Sequence, residues 1–177
     1  MKVLGMIKRT IRFKDMRVLS LYKSLFRPHV EYCISAWNQH YKKDQVLIEK
    51  VQRRFTKMIN NIGGKTYEER LYCSKLWTLE ERRNRQDLIE VFKICNGLSR
   101  LKLNELFILA DNTRGIRGHS WKLVKFRCTR YCLSIFSNRV INRWNQLDQG
   151  AVDASSISAF KGWLDKIRVT RMGFFMD

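Results

Sequence analysis

Apolar residues recur every three or four positions along most of this chain, and this spacing restricts the fold more than any other sequence feature. The clearest case is segment 44–62, where the apolar residues share one side of a helix. They are Ile48, Val51, Phe55, Met58, Ile59 and Ile62. The same spacing on both sides of Pro28 predicts two helices that meet at the proline, or one kinked helix. We therefore predict a mainly α fold.

Two short motifs predict where further helices begin. Thr66 is followed three residues later by Glu69, and Thr78 is followed by Glu81. Both pairs match the capping box, in which the Thr hydroxyl and the Glu carboxylate satisfy each other's free backbone N–H groups. Glycines after residues 62 and 96 predict where the preceding helices end.

The C-terminal part combines two kinds of pattern. Residues 121–128 alternate between apolar and polar with one shift of phase, which predicts a short β-hairpin with a bulge. A helix is expected to carry Phe136, Val140, Trp144 and Leu147. Another is expected to begin near Ser155 or Ser156 and to bury its apolar residues. The predicted fold is thus a bundle-like helical region followed by a β-hairpin and two C-terminal helices.

Positive charge is abundant and uneven. The chain carries 35 Lys and Arg against 16 Asp and Glu, a formal net charge of +19. Residues 1–64 contain 14 basic and 4 acidic residues, residues 65–110 contain 9 and 7, and residues 111–177 contain 12 and 5. We therefore expect three segments with these bounds: basic and helical, nearly neutral and helical, and basic with the hairpin and the last helices. Such an excess indicates a polyanionic partner such as nucleic acid.

Nine basic side chains are candidates for contacts with nucleic-acid phosphates. Four share the side of the 44–62 helix opposite its apolar stripe, where a plain solvated face is the alternative. The full set is Lys50, Arg53, Arg54, Lys57, Arg117, Lys122, Lys125, Arg127 and Arg130. Trp121 lies between Ser120 and Lys122, beside the predicted basic hairpin, and is a candidate for stacking on an unpaired base, with packing in the core as the alternative.

The cysteines and the apolar runs exclude several classes of protein. The five cysteines are odd in number and widely spaced, which argues against a disulfide framework. His119, Cys128 and Cys132 have a spacing that zinc ligands can take, but a fourth ligand is missing nearby, so we predict packing and neither metal nor other cofactor. No signal peptide or membrane span is expected from the apolar runs. We therefore expect a cytoplasmic or nuclear protein that is not secreted and does not bind membranes.

Several strings of residues together resemble one protein family. They are residues 21–33 (LYKSLFRPHVEYC) with Trp37, 47–59 (LIEKVQRRFTKMI), 67–71 (YEERL), 87–94 (DLIEVFKI), 117–120 (RGHS), and 136–140 (FSNRV) with Trp144 and Asn145. In this order they resemble the region after the catalytic palm in reverse transcriptases of non-LTR (LINE, jockey-type) retrotransposons. The resemblance covers about residues 4 to 167.

The resemblance implies the thumb and C-terminal region of an RNA-directed DNA polymerase. Enzymes of this family hold Mg ions at the palm with an adjacent Asp pair and a third Asp. No two aspartates are adjacent in this sequence, and the resemblance places the palm before residue 1. We therefore expect this chain alone to have no catalytic residues and to act by binding RNA or RNA–DNA hybrid. Asp148, at a position where the family has proline, and the unfamiliar tail after residue 168 indicate a decayed or truncated copy.

Two alternatives remain open beside nucleic-acid binding. In the first, the chain is a non-catalytic helical module that binds other proteins. In the second, it is a relic without function. In either case the apolar helix faces that would dock on a palm are expected to be exposed and to favour self-association.

Overall fold

The computed structural model describes residues 5–6, 9–11, 15–32, 42–110, 118–125 and 135–176. These residues are mainly helical, as the apolar spacing predicts. Contacts group the chain into two compact units: residues 1–33 with 39–82 form unit 1, and residues 34–38 with 83–177 form unit 2. Across the described ranges, no helix is both long enough and apolar enough to cross a membrane. The three segments predicted above were defined by the distribution of charge. The two units are defined by contacts, so they do not test those three segments.

Unit 1 begins with one irregular helical segment. Helix α1 (Val18–Leu21) continues into a π-helical turn (Tyr22–Phe26) and then into α2 (Arg27–Glu31), with Pro28 in the first turn of α2. A proline inside a regular α-helix removes one backbone hydrogen bond and collides with the carbonyl group four residues earlier. The wider π turn lies where this collision would occur. The segment thus passes through the proline as a single helix with a local irregularity, which is closest to the kinked helix of the prediction.

The core of unit 1 forms between this segment and helix α3 (Lys42–Lys57). The ring of Tyr22 stacks on Phe55 with centroids 4.2 Å apart and on Phe26 at 5.1 Å. The helix ends at Lys57, five residues before the predicted end, and the chain continues in turns that still bury Ile59 and Ile62. Further buried residues come from α1, α3 and the region of α4: Val18, Leu19, Val51, Leu71 and Leu76.

Both predicted capping boxes are present. Thr66 caps α4 (Tyr67–Ser74) and forms reciprocal bonds with Glu69. At the start of α5 (Leu79–Cys95), the Glu81 N–H donates to the Thr78 hydroxyl at 3.1 Å, and the Thr78 N–H donates to the Glu81 carboxylate at 2.9 Å. The end of α5 is also as predicted, because Gly97 follows it with a φ of 67°, a conformation that favours glycine. The first four residues of α5 belong to unit 1 and the rest to unit 2.

Unit 2 is built from the rest of α5 and several shorter helices around α10 (Ile157–Thr170). The shorter helices are α6 (Leu103–Leu106), α7 (Phe136–Arg139), α8 (Ile141–Asn145) and α9 (Gln149–Val152). Phe92 of α5 stacks on Phe160 of α10 with centroids 4.4 Å apart, and Trp144 is fully buried beside them. The four residues predicted to share one helix are buried as expected, but only two of them lie in helices, Phe136 in α7 and Trp144 in α8. Val140 lies between these two helices, and Leu147 lies in the bend after α8.

The predicted β-hairpin in residues 121–128 is wrong for the part that the structure describes. Leu123 pairs with Leu109 in an isolated antiparallel bridge, and residues 118–125 form no strand. The side-chain amide of Asn145 explains this, because it accepts from the Leu123 N–H at 2.9 Å and donates to the Leu123 carbonyl at 2.8 Å. One side chain thus satisfies both backbone groups that a second strand would have bonded. Residues 126–128 lie outside the described residues.

Candidate nucleic-acid interface

Helix α3 carries four of the predicted phosphate contacts on its outer face. Lys50, Arg53, Arg54 and Lys57 are all exposed, whereas Val51 and Phe55 of the same helix are buried in the core of unit 1. The structure therefore brings these four cations together on the surface, as the helical periodicity predicted. We call these four residues the α3 basic face.

Gln52, a polar residue in the core, fixes how α3 is rotated. Its side-chain oxygen accepts from the Tyr22 hydroxyl at 2.8 Å, and its nitrogen donates to the Trp77 carbonyl at 2.9 Å and to the Tyr67 hydroxyl at 3.1 Å. Gln52 is 1% exposed, so a rotation of the helix would leave these buried groups without partners. The network holds the basic face outward.

Glu49 is the acidic residue nearest to the basic face in sequence, and its carboxylate takes part in the same interior network. It accepts from the Tyr67 hydroxyl, and its second oxygen accepts from the Leu79 N–H at 3.0 Å. Leu79 is the first residue of α5, where helix N–H groups and the helix dipole favour an anion. Burial, followed by the hydrogen bond to Glu49, raises the pKa of the Tyr67 hydroxyl. Much of the carboxylate's hydrogen bonding is thus directed to the interior of unit 1.

Tyr67 also supports one cation of the α3 basic face. The guanidinium of Arg53 lies over its ring, 4.6 Å from the centroid, and that of Arg70 lies at 5.6 Å. Arg70 is buried, and its Nε donates to the Thr56 hydroxyl at 3.2 Å. A cation held over an aromatic face keeps its charge while its side chain loses freedom. Arg53 is therefore better ordered than an ordinary surface arginine.

The position of the cations along α3 also favours the helix itself. Arg54 and Lys57 occupy the last turn, where the partial negative charge of the helix end attracts cations, and Asp44 occupies the first turn. This effect accounts for part of the charge pattern without any ligand. It does not account for Lys50 and Arg53, which lie before the last turn.

The second set of predicted contacts belongs to unit 2. Lys125 is exposed and its Nζ donates to the Asn142 side chain at 3.0 Å, whereas Lys122 is half-buried. The aliphatic part of Lys122 lies where a Cβ on Gly118 would be, since that atom would come within 2.5 Å of its Cε. Arg117, Arg127 and Arg130 lie outside the described residues.

Trp121, the candidate for base stacking, is half-buried in unit 2. Its carbonyl accepts from the Trp144 indole N–H at 2.7 Å, and its N–H donates to Nδ1 of His119 at 3.2 Å. Nε2 of His119 donates to the Trp144 carbonyl at 2.9 Å. Both ring nitrogens of His119 therefore have protein partners, and Cys128 and Cys132, the other residues of the zinc hypothesis, lie outside the described residues.

Sequence reasoning missed a group of arginines in unit 2. Arg139, Arg143 and Arg171 line one cavity with a volume of about 520 Å³. Arg139 donates to both oxygens of Asp87, at 2.7 and 2.9 Å, although the two residues are far apart in the sequence. The four-residue spacing of Arg139 and Arg143 places both on one side of a helical stretch, but no local pattern indicates Asp87 or Arg171 as neighbours.

Comparison of the chain with family models, with curated proteins and with solved structures found no match.

Proposed function

We propose that this protein binds the phosphate backbone of RNA or of an RNA–DNA hybrid through the α3 basic face. The observation that carries the proposal is the exposure of Lys50, Arg53, Arg54 and Lys57 together on one helix whose rotation the Gln52 network fixes. Cations placed along one rigid helix face can neutralise several phosphates without a large loss of freedom on binding. The resemblance to the post-palm region of non-LTR reverse transcriptases supplies the choice of ligand.

The binding chemistry in this proposal is electrostatic and independent of base sequence. Lysine and arginine release counterions from the nucleic acid when they neutralise its phosphates, so affinity falls steeply with salt. Arg53 and Arg54 add the planar guanidinium fork, which matches phosphate oxygens. The proposal therefore predicts similar affinities for different sequences of the same length and a strong dependence on ionic strength.

The test compares two variants from which the same amount of positive charge is removed. One replaces the α3 basic face (Lys50→Gln, Arg53→Gln, Arg54→Gln, Lys57→Gln), and the other replaces four exposed cations elsewhere (Lys23→Gln, Lys65→Gln, Arg100→Gln, Lys161→Gln). Fluorescence anisotropy with a labelled RNA–DNA hybrid at several salt concentrations gives the affinity of each. For the first variant we expect the slope of log K against log salt to become shallower by about 0.9 for each duplex phosphate that the helix no longer neutralises.

The matched variant separates local binding from net charge. If both variants weaken binding and flatten the salt dependence equally, only total charge matters and the α3 basic face is not the binding surface. A wild-type affinity that does not change with salt also overturns the proposal. Circular dichroism of both variants confirms that the comparison is between folded proteins.

Exposed apolar side chains in unit 1 favour one alternative to nucleic-acid binding, in which the chain binds another protein molecule. Val46 and Leu47 at the start of α3 are 53% and 55% exposed, and Tyr72 of α4 is 87% exposed. Apolar side chains of this size on a surface favour association when they lie together. A stable oligomer in light scattering, together with no affinity for the hybrid, would support this alternative and contradict the proposal.

A further inference from the structure

The cavity of about 520 Å³ in unit 2 lies between helices α7 and α8 and the turn after α10. This volume lies within the range of about 300–1,000 Å³ that is typical of small-ligand sites. The residues that line it include three arginines, Arg139, Arg143 and Arg171, and two residues with side-chain amides, Asn142 and Gln146. We call it the arginine cavity.

Asp87 and Asp148 bond arginines of this cavity, and neither carboxylate is part of its lining. Asp87 holds Arg139 at 2.7 Å, and Asp148 holds Arg171 at 2.9 Å. Arg143 donates to the backbone carbonyls of the turn, from Nε to Phe174 and from Nη2 to Met176, at 3.2 Å each. Within the described residues, the charged groups that line the cavity are therefore cationic.

The three cations differ in how firmly they are held. The Asp87 side chain is 3% exposed and bonds Arg139 through two hydrogen bonds, which fixes that guanidinium. The Arg171 and Asp148 side chains are 42% and 56% exposed. Exposed ion pairs contribute little to stability, so an anion in the cavity competes with Asp148 for Arg171 at small cost. A turn of Arg171 towards a ligand therefore exchanges its bonds to Asp148, and the bond from its Nη1 to the Gln146 carbonyl at 2.9 Å, all of them at the surface, for bonds to the ligand.

The remaining wall is apolar. Phe174, which is half-buried, lines it together with Met172, Gly173 and Met176, of which Met172 is 94% exposed. An aromatic ring and thioethers offer a surface on which a planar base packs. Guanidinium groups next to such a surface match a ligand with a phosphate at one end and a planar ring at the other.

We propose that the arginine cavity binds a nucleotide by its terminal phosphate. A terminal phosphate carries between one and two negative charges near neutral pH, and the guanidinium fork bonds its oxygens in pairs. Arg143 and Arg171 bind the phosphate, Arg139 stays on Asp87 as a fixed part of the wall, and Phe174 packs against the base. The terminal phosphate belongs either to a free nucleotide or to the 5′ end of an RNA strand. The site is separate from the α3 basic face, so it does not depend on the function proposed above.

Calorimetric titration of the full chain tests the proposal with four probes: adenosine 5′-monophosphate, adenosine, and a five-nucleotide RNA with and without a 5′ phosphate. We expect at least one phosphorylated probe to bind about tenfold more tightly than its unphosphorylated counterpart. If the mononucleotide binds, a free nucleotide is a sufficient ligand for the cavity. If only the phosphorylated RNA binds, the ligand is the 5′ end of an RNA strand. If neither phosphorylated probe binds better than its counterpart, the proposal is overturned.

Two variants and one control assign the binding to the cavity. Arg143→Gln and Arg171→Gln should each weaken binding of the phosphorylated probe about tenfold, because each removes bonds to a charged group. Lys161→Gln removes the same charge from an exposed site on α10 outside the cavity and should leave binding unchanged. Arg143 also bonds the C-terminal turn, so Arg171→Gln is the decisive variant if Arg143→Gln does not fold. Unchanged affinity in Arg171→Gln contradicts the assignment.

Discussion

His119 shows how a single buried side chain ties stability to pH. It is 1% exposed, and its ring lies between the Trp121 N–H and the Trp144 carbonyl. This arrangement requires the neutral ring with its proton on Nε2, because a proton on Nδ1 would point at the Trp121 N–H. Burial lowers the pKa of His119 below its usual value of 6.5, with Lys122 acting in the same direction, while the bond to Trp144 and the charge of Asp153 oppose the shift.

The sign of the effect follows from proton uptake. In the pH window between the lowered pKa and 6.5, the unfolded chain binds more protons at His119 than the folded chain does. The free energy of unfolding should therefore fall as the pH falls through this window. The loss amounts to about 1.4 kcal/mol for each unit by which folding lowers the pKa.

Urea denaturation between about pH 7.5 and pH 5.5, where histidine titrates, measures this loss. His119→Gln should reduce the pH dependence, whereas His29→Gln, at an exposed histidine, should keep it. Hydrogen bonds to Thr66 lower the pKa of Glu69, so its contribution is lost only as the pH falls below its usual value of 4.5, outside this range. The two buried carboxyl groups act in the opposite direction to His119. Burial raises the pKa of Glu31 and Asp87, so their contributions favour the folded state at low pH and disappear as pH rises. An equal acid loss in wild type and His119→Gln would rule out His119 as the cause.

Among the elements, the helices show why local signals in the sequence predict so much of this fold. A capping box or a glycine after a helix acts through bonds between residues three to six positions apart, so the sequence contains both partners. The boxes at Thr66 and Thr78 are confirmed for this reason. Gly63 is more specific than expected, because a Cβ there would lie 2.7 Å from the Lys57 carbonyl oxygen. This close approach requires glycine.

The features that the sequence did not indicate depend on partners far apart in the chain. Asn145 replaces a β-strand partner of Leu123, Asp87 holds Arg139, and Gln52 joins Tyr22 to Trp77. Each pairing is decided by how helices pack, which periodicity does not specify. The α3 basic face could be placed because one helix contains all four residues, whereas the arginine cavity needs α7, α8 and the turn after α10 together. The resemblance to reverse transcriptases stays a prediction.

The start of α10 offers a direct test of helix capping. The sequence left Ser155 and Ser156 as alternatives, and in the structure the Ser156 hydroxyl accepts from the Ala159 N–H at 3.1 Å. Ser156→Ala should lower the free energy of unfolding by about 1 kcal/mol, the usual effect of losing an N-cap. Ser155→Ala, at an exposed neighbouring position, should change it by less than about 0.5 kcal/mol. Equal effects in thermal or urea denaturation would contradict the assignment of Ser156 as the cap.

At the scale of the whole molecule, each unit contains its own aromatic centre. Phe55 packs on Tyr22 in unit 1, and Phe160 packs on Phe92 in unit 2. Truncation of a buried phenylalanine to alanine costs about 3–5 kcal/mol. Because local stability varies among cooperative parts of a protein, we expect each cavity to weaken its own unit first.

Hydrogen exchange read by mass spectrometry distinguishes the two responses. Phe55→Ala should speed exchange most in α3 and α4, and Phe160→Ala should speed it most in α10. Each variant is the control for the other, since both remove the same atoms from a fully buried site. Uniform acceleration along the described helices in both variants would show that the two units unfold as one.

The C-terminal tail, which the sequence suggested was foreign to the family, is part of the packing of unit 2. Phe175 is 2% exposed, and its carbonyl accepts from the Asn84 side chain at 2.8 Å. Asp148, the other residue that the sequence singled out, bonds Arg171 in this tail. Both the tail and Asp148 therefore have structural partners within unit 2.

The π turn at Tyr22–Phe26 has a consequence for the history of this chain. A π turn holds one more residue than the α-helical turn it replaces, so a single-codon insertion is enough to create it. If such an insertion created this turn, related sequences without it should align with this chain only across a one-residue gap near Pro28. Compared with this chain, loss of one residue would change the rotation of the helix before the gap relative to the helix after it by about 100°. If related sequences align with this chain without a gap and keep the same aromatic positions, the π turn arose before those sequences diverged from this one.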